Sequence, residues 1–232
     1  MPDPAVVKSL FGRIAHRYDL ANRVLSLGID GHWRTRLVAA VRKAHPIDVL
    51  DLATGSGDVA LALGQGLPGG AHILGMDFCV PMLEEANLKK DRAPGAFPYV
   101  NFRQGDALNL PLPDSSYDAV TIAFGYRNIS DRARCLSEIQ RVLRPGGSLF
   151  VLEFSQPWPW IRPIYAFHLK HVVPIIAGAL TRDRTAYDYL AESIDRFPGI
   201  DGVRQEIQNA GFRDISASAM TMGIVALHVG RR

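Results

Sequence analysis

Two carboxylates flank a glycine-rich stretch of this chain. Residues 50–58 are Leu-Asp-Leu-Ala-Thr-Gly-Ser-Gly-Asp, so that Asp51 and Asp58 stand on either side of the glycines. A pyrophosphate, which binds where helix N-terminal N–H groups have no anions nearby, would be repelled here. A ligand with a ribose and an adenine but a sulfonium and an ammonium in place of phosphates would be attracted. S-adenosylmethionine has that chemistry, and we predict that this loop binds it.

The stretch lies between a predicted strand and a predicted helix. Apolar residues 47–52 precede the glycines and apolar residues 59–63 follow them, and the order strand, turn, helix is typical of a nucleotide cradle. Gly55, Gly57 and Ala60 also match the G-x-G-x-x-G/A pattern. Asp77 follows about 20 residues later, where a carboxylate can accept hydrogen bonds from ribose hydroxyls. The pattern alone therefore leaves NAD as an alternative, together with a bare turn capped by an aspartate.

Composition restricts the class of protein. A chain of 232 residues fits one domain with a full-sized core, and we predict a single domain over 1–232. Hydrophobic residues make up 47% and the net charge is only +3 without a basic run, so nucleic acid is not an expected partner. Cys79 and Cys135 lack C-x-x-C spacing, which favours free thiols, and His168 with His171 lacks a third ligand, so no metal site is predicted. Without a signal pattern or a membrane-spanning window, the expected location is cytoplasmic.

Short apolar runs alternate with helical patterns along the chain. This order predicts an α/β, Rossmann-like doubly wound sheet, mostly parallel, with helices on both faces. Because the connection around Met222 and Gly223 is too short for a crossover, the last strand must be antiparallel. A helix should begin at Ser130 or Asp131 and end at residues 145–147, Pro-Gly-Gly. The seven strands are predicted near 47–52, 72–77, 99–104, 117–123, 147–154, 213–219 and 223–229.

Two segments exceed what the sheet needs. We predict an N-terminal helical cap over residues 1–45 and a helical lid inserted at residues 157–198, between strands five and six. Both can cover the carboxyl ends of the strands, where an open α/β sheet binds ligands.

Four separated segments carry a further signal. They are residues 18–33, which begin Tyr-Asp-Leu-Ala-Asn; the glycine loop; residues 124–155, which begin Phe-Gly-Tyr-Arg-Asn-Ile-Ser-Asp; and residues 189–228, which begin Tyr-Leu-Ala-Glu-Ser-Ile. Together they resemble the C-methyltransferases of menaquinone and ubiquinone biosynthesis, over nearly the whole chain. The resemblance implies a class I S-adenosylmethionine-dependent methyltransferase that methylates a demethylated prenyl quinol. Ala21, Asp30, Ala123 and Met222 depart from the family's usual residues where the substrate is expected, which leaves the methylated ring open.

The resemblance also implies which residues hold the methyl donor. Asp77 can accept from both ribose hydroxyls, and Asp106 can accept from the exocyclic amine of adenine, although Asp106 could instead only form a turn. Asp51 is expected near the ammonium group or, through water, the methionine end. The full set expected at the cofactor is Asp51, Gly55, Ser56, Gly57, Asp77, Phe78, Asp106, Ala107 and Ala123, the last through its backbone.

Methylation of an aromatic carbon needs an electron-rich ring. A quinol becomes one when its hydroxyl, with a pKa near ~10, loses a proton. We expect Arg127 to stabilise the phenolate, because a guanidinium does not deprotonate at useful pH, and Asn128 to hold the second oxygen. The alternative is that Arg127 only pairs with a local acid such as Asp131. The general base stays open among Tyr18, Asp19, His168 and a water ordered by Arg127.

The predicted lid combines aromatic and cationic residues around Trp158, Trp160, Arg162 and Lys170. Such a segment is typical of an interfacial helix, although a buried lid helix with surface cations explains it equally well. The implied partners are the prenylated quinol and the inner face of the membrane, and a homodimer stays open. The alternative functions are a small-molecule O- or N-methyltransferase and a non-catalytic S-adenosylmethionine-binding regulator.

Overall fold

The computed structural model describes residues 4–26, 28–173 and 185–232. Its helices are α1 (Pro4–Leu25), α2 (Asp30–Lys43), α3 (Asp58–Gly66), α4 (Val80–Asp91), α5 (Arg132–Val142), α6 (Arg162–Phe167), α7 (Thr185–Asp195) and α8 (Ile200–Asn209), with a 3-10 helix at Tyr126–Asn128 and a π-helix at His168–Val172. Its strands are β1 (Asp48–Leu52), β2 (His72–Asp77), β3 (Val100–Gln104), β4 (Tyr117–Ala123), β5 (Leu143–Phe154), β6 (Arg213–Met220) and β7 (Val225–Arg231). The predicted cap contains α1 and α2, and the predicted lid contains α6, the π-helix and α7, while residues 174–184 of that lid lie outside the described ones.

The strands form one seven-stranded sheet in the order β3-β2-β1-β4-β5-β7-β6. Neighbouring strands from β3 to β5 are parallel, and β7 is antiparallel to both β5 and β6. The predicted doubly wound sheet with an antiparallel last strand is therefore confirmed. The strand order reverses between β1 and β4, which makes the carboxyl ends of these two strands the place where a ligand crevice is expected.

The end of α5 and the starts of β5 and β7 differ from the prediction, with β5 beginning already at Leu143. The helix capped by Asp131, whose side chain accepts a hydrogen bond from the N–H of Arg134 at 2.9 Å, ends at Val142 and not at the Pro-Gly-Gly triplet. Pro145 disfavours helical backbone at the residue before it, so the chain is already extended when it reaches the glycines. The last strand begins at Val225 because Thr221, Met222 and Gly223 all have positive φ and form the preceding turn.

The two faces of the sheet carry separate apolar clusters. On one face, α5 and α8 cover the central strands through residues such as Leu136, Ile139 and Ile207. On the other face, α2 and α3 contribute Leu37 and Leu63. Adjacent residues of β1, Val49 and Leu50, belong to different clusters, as is typical of a strand buried on both faces. Within the described ranges, the helices are too short or too polar to span a bilayer.

Candidate functional site

A cavity of about 590 Å³ opens at the carboxyl ends of β1 to β5 and is covered by α1, α2 and α6. Its size is within the range of small-molecule sites. The predicted site residues that line it are Asp19, Gly55, Ser56, Asp77, Phe78, Asp106, Ala107, Ala123, Arg127, Asn128 and His168. Asp51 and Gly57 lie behind this wall, and Tyr18 falls on α1 with a side chain outside the described ones.

Asp77, the last residue of β2, joins the glycine loop to the start of α4. Its Oδ2 accepts a hydrogen bond from the N–H of Gly55, and its Oδ1 accepts one from the N–H of Cys79, both at 2.9 Å. Burial raises the pKa of Asp77, and these backbone N–H bonds oppose the rise. Since each carboxylate oxygen can accept a second hydrogen bond, the side chain can still bind ligand hydroxyls from the cavity side.

Asp51 fixes the loop from beneath. It is 1% exposed, and its two oxygens accept hydrogen bonds from the hydroxyls of Thr54 at 2.7 Å and Thr121 at 2.6 Å. Burial raises the pKa of Asp51 to about 6, against the effect of these hydroxyls. The side chain therefore ties β1 to β4 below the crevice instead of facing a ligand.

A network of charges connects α1 to the glycine loop. Lys89 near the end of α4 forms ion pairs with Asp19 of α1 and with Asp58 at the start of α3. The hydroxyl of Ser56 donates to Asp19 at 2.6 Å. Asp19, one candidate for the general base, is therefore held against the loop that should bind the cofactor.

Arg34 extends this network to α2. It pairs with Asp58 and, at 2.7 Å, with Asp30. Burial alone would raise the pKa of Asp58, but Lys89 and Arg34 more than offset it, so the pKa is lowered. Three carboxylates share two cations, and the one surplus negative charge suits a cationic ligand group. The preference for a cationic over an anionic ligand, which we expected from Asp51 and Asp58, thus depends on this surplus charge and on Asp77 and Asp106, which also line the cavity.

Asp106 follows β3. It forms a turn, which the sequence offered as the alternative to adenine binding. Its Oδ1 accepts a hydrogen bond from the N–H of Leu108 at 2.9 Å. The same side chain lines the cavity beside Ala107, and its carboxylate has further acceptor positions. The turn geometry and the expected contact with an adenine amine are therefore compatible.

The backbone is strained where β1 and β4 diverge. Ala53 has φ 52° and Phe124 has φ 55°, a left-handed conformation that side chains with a Cβ rarely adopt. At Gly125, an added Cβ would lie 2.5 Å from the Cβ of Ala53, so the two loops meet here with no room for a side chain. Strain of this kind clusters at ligand sites, where the surrounding structure holds it in place.

Arg127 lies in the 3-10 helix after β4, and its partner is Glu153 at the end of β5. Its Nη1 is 2.8 Å from Oε1 of Glu153 and donates also to the carbonyl of Phe124 at 2.5 Å. The guanidinium packs over the ring of Phe154, with 5.2 Å from Cζ to the ring centroid. The alternative that Arg127 pairs with an acid is thus confirmed in kind, but the acid is Glu153 of β5 and not Asp131, whose side chain caps α5.

Aromatic rings form the wall beside this guanidinium. Phe124 and Phe154 have centroids 5.0 Å apart, and Trp33 of α2 lies 5.7 Å from Phe124 and 6.3 Å from Phe154. The indole N–H of Trp33 donates to the hydroxyl of Thr221 at 2.8 Å, which holds the ring in place. We name Trp33, Phe124 and Phe154 the aromatic wall. Such a wall can accept a flat ring by edge or face contacts.

The lid brings two phenols to the same end of the cavity. Tyr189 of α7 donates to Oδ1 of Asn128 at 3.1 Å, and Tyr165 of α6 also lines the cavity. Burial raises the pKa of both tyrosines, so both phenols remain neutral donors. His168 lines the cavity from the π-helix. The arrangement surrounds a ring site with one guanidinium, one amide and neutral hydroxyls.

The geometry therefore combines a half suited to a cationic nucleoside with a half suited to an anionic ring. A family model described as the ubiE/COQ5 methyltransferase family matches residues 2–232. The chain belongs to this family. It is 44% identical to a demethylmenaquinone methyltransferase of Thermus thermophilus, over 96% of this chain and all of that protein. It is 39% identical to a ubiquinone/menaquinone biosynthesis C-methyltransferase of a Geobacter species, over 97% of this chain and 96% of that protein.

The fold is shared more widely than the family. A S-adenosylmethionine-dependent methyltransferase of Thermotoga maritima, a possible histamine N-methyltransferase, superposes with a TM-score of 0.67 at 18% identity. The match covers 96% of this chain and 98% of that one. The predicted family and the methyltransferase fold are thus both confirmed.

Within this ubiE/COQ5 family member, three of the four departures noted in the sequence line the cavity. They are Asp30, Ala123 and Met222, whereas the side chain of Ala21 is outside the described ones. Sequence reasoning missed Glu153 as the partner of Arg127. A lone acidic residue inside the apolar run of β5 was the available signal, because buried carboxylates need partners.

Proposed function

We propose that this chain transfers a methyl group from S-adenosylmethionine to a ring carbon of a demethylated prenyl quinol. The observation that supports this most directly is the pairing, in one cavity, of strand-end carboxylates with a guanidinium beside the aromatic wall. The relatives named demethylmenaquinone methyltransferase and ubiquinone/menaquinone biosynthesis C-methyltransferase support the same reaction. Naphthoquinol and benzoquinol rings are both compatible with this proposal.

In the donor half, Asp77 would accept from ribose hydroxyls, Asp106 from the adenine amine, and Ser56 would contact the methionine end. When bound, S-adenosylmethionine would supply a methyl group on a cationic sulfonium. The protein supplies alignment and a cavity covered by helices, which together convert the transfer into an oriented displacement. The surplus carboxylate charge near Asp19 favours the cationic reactant.

In the ring half, Arg127 lowers the pKa of the quinol hydroxyl, since hydrogen bonds donated to the charged form favour the phenolate. Asn128 holds the second ring oxygen. The activated ring carbon would accept the methyl group that the donor supplies when bound, one C–C bond forming as one S–C bond breaks with its electron pair left on sulfur. The ring proton then leaves, and the candidates to receive it remain Asp19, His168, Tyr18 and an ordered water.

The test is a turnover assay with an isotopically labelled methyl donor. The protein is incubated with a short-tailed demethylated naphthoquinol or the benzoquinol equivalent under reducing conditions, and tandem mass spectrometry locates the label. Label on a ring carbon is expected. Label on oxygen would favour the O-methyltransferase alternative, and no transfer to either substrate would favour a non-catalytic role. Omitting the reductant is the matched control, because the oxidised quinone has no hydroxyl to ionise.

We also propose that α6 rests on the membrane surface, where a long-tailed quinol resides. Its segment carries four large apolar side chains between 48% and 64% exposed, Trp158, Trp160, Ile164 and Phe167. Arg162 and Lys170 are exposed beside them. Ile164 and Tyr165 also line the cavity, so the same short helix would border both the bilayer and the ring site.

Sedimentation with anionic vesicles tests this contact. Each basic residue near such a surface contributes about 1 kcal/mol, so the double substitution Arg162→Glu and Lys170→Glu should sharply reduce binding, and added salt should reduce binding of the wild type. Arg42→Glu with Lys43→Glu changes charge equally at the far end of α2 and is the control. An equal loss of vesicle binding in the two double variants would mean that the attraction is non-specific and would contradict a role of α6. Unchanged binding by the α6 variant would contradict the membrane proposal.

A further inference from the structure

Glu153 is a buried carboxylate that has no role in the reaction proposed above. It stands near the end of β5 between Leu152 and Phe154, and its side chain is 1% exposed. An ionised carboxylate is costly in such a position unless it is paired and hydrogen-bonded. The hydrogen bonds that Glu153 accepts therefore indicate its role.

Both oxygens of Glu153 are directed at one neighbouring residue. Oε1 accepts from Nη1 of Arg127 at 2.8 Å, and Oε2 accepts from the backbone N–H of Arg127 at 3.1 Å. Oε1 also accepts from the N–H of Phe154 at 2.8 Å. One carboxylate thus fixes the guanidinium, the backbone of the 3-10 helix that carries it, and the strand residue whose ring lies beneath it.

The remaining hydrogen bonds of the Arg127 guanidinium are to neutral groups. Nη1 donates to the carbonyl of Phe124, and Nε is 3.3 Å from the hydroxyl of Ser193 on α7. Neither partner carries a charge. Glu153 is therefore the charged partner of this guanidinium within the described residues, and it offsets the guanidinium charge inside the cavity.

We infer that Glu153 is a positioning residue for methyl transfer, which aims Arg127 at the quinol oxygen and makes it an oriented hydrogen-bond donor. This inference rests on the proposed function. A merely structural carboxylate would affect folding and the binding of both substrates. A positioning residue should affect the rate of the chemical step and should do so only while Arg127 is present.

The first experiment compares Glu153→Gln with the wild type under single-turnover conditions. We expect a 10- to 100-fold lower rate of methyl transfer, with the Kd of S-adenosylmethionine within threefold, because Glu153 acts in the ring half. Glu153→Asp should recover part of the rate, since it keeps the charge but is one methylene shorter. A rate for Glu153→Gln within threefold of the wild type would overturn the inference.

Asp118→Asn is the matched control. Asp118 also pairs with an arginine, Arg144 at 2.7 Å, and also accepts backbone N–H bonds, but at the amino end of the sheet. Its loss should change the transfer rate less than threefold. A loss equal to that of Glu153→Gln would overturn the inference, because it would show a general effect of removing an arginine partner.

A double variant covers the case in which Glu153→Gln does not fold, since it leaves a buried guanidinium unpaired. Arg127→Ala with Glu153→Gln removes both charges and so leaves none unpaired. Its rate should be within threefold of that of Arg127→Ala alone. A further loss above tenfold would show that Glu153 acts independently of Arg127. The wild-type arm separates the claims: an inactive wild type contradicts the proposed function, whereas an active wild type with an equally active Glu153→Gln contradicts only this inference.

Discussion

The two halves of the cavity are held together in different ways. In the donor half, Asp77 binds the N–H groups of Gly55 and Cys79, the second of which is two residues away in sequence. In the ring half, Arg127 depends on Glu153, 26 residues later, and Asn128 on Tyr189, 61 residues later. Long-range packing therefore builds both halves, since Asp77 and Gly55 are themselves 22 residues apart, and the donor half adds a local turn at Cys79.

The halves also differ in what they offer a ligand. The donor half presents carboxylates with a surplus of negative charge, whereas the ring half presents a compensated guanidinium, an amide and the aromatic wall. If this division is correct, substitutions in one half should affect one substrate and spare the other. Arg127→Ala, Asp77→Ala and Trp33→Leu test it, in order of decreasing expected effect, and Asp51→Asn tests the buried carboxylate beneath the donor half.

Arg127→Ala should lower turnover on the quinol by roughly 10- to 1000-fold and change donor affinity by less than about threefold, because the guanidinium is aimed at the developing phenolate. Arg127→Lys should restore only part of the rate, since an ammonium lacks the planar fork. Rapid-quench kinetics and calorimetry measure the two quantities. Full activity of Arg127→Ala would mean that the pair with Glu153 is structural.

Asp51→Asn should change how stability depends on pH. The pKa of Asp51 is raised to about 6 from 3.8, so between these values the unfolded chain ionises this group while the folded chain keeps the proton. The wild type therefore loses stability as pH rises, and the variant does not. Relative to the wild type, Asp51→Asn should gain roughly 2.4 kcal/mol between pH 4 and pH 7 in urea unfolding.

Asp118→Asn is the control, because its effect on the pH dependence of stability should have the opposite sign. The pKa of Asp118 is lowered: burial alone would raise it, but the backbone N–H of Asp48 and the guanidinium of Arg144 more than offset this. This group therefore contributes stability at higher pH, and its removal should make the variant relatively less stable as pH rises. A flat difference between Asp51→Asn and wild type would contradict the buried, proton-retaining state of Asp51.

Much of the donor half could be predicted from sequence. The glycine loop and Asp77 follow from a strand-turn-helix order that local periodicity reveals. Five of the seven strands begin within one residue of the prediction, whereas β5 begins four residues earlier and β7 two residues later. The misjudged ends have local causes, namely Pro145 and the positive-φ turn at residues 221–223. The position of Asp51 behind the loop was not predictable, because it depends on Thr121 of a strand that is distant in sequence.

In the ring half, Arg127, Asn128 and His168 could be predicted, but the residues that hold them could not. Arg127 follows from the motif and from chemistry, but its partner does not, since parallel neighbours β4 and β5 bring Glu153 beside it through the sheet. Trp33 reaches the aromatic wall only because α2 folds back over β4 and β5 and its indole finds Thr221, 188 residues later. No periodicity in either segment encodes that contact.

Asp77→Ala should weaken binding of S-adenosylmethionine by about 1.5 to 3 kcal/mol through lost hydrogen bonds to a charged acceptor. Asp77→Asn, which keeps one oxygen acceptor, should lose less. Quinol KM should stay within about threefold, because the change lies in the donor half. Calorimetry measures the donor directly, and micromolar binding of NADH in place of the methyl donor would overturn the assignment of this half.

Trp33→Leu should have the smallest effect and the most selective one. Loss of the indole removes one ring of the aromatic wall, and an aromatic contact contributes about 0.5 to 1.5 kcal/mol, so the KM for the quinol should rise roughly 3- to 10-fold. Donor affinity should not change, since the ring and hydrogen-bond contacts of Trp33 are with Phe124, Phe154 and Thr221, in the ring half.

Thr221→Val is the matched control, because it removes the indole hydrogen bond and leaves the ring, and it should raise KM less. An equal rise in KM for both variants would assign the effect to the position of α2, whereas weakened donor binding by Trp33→Leu would show that the two halves are not separable.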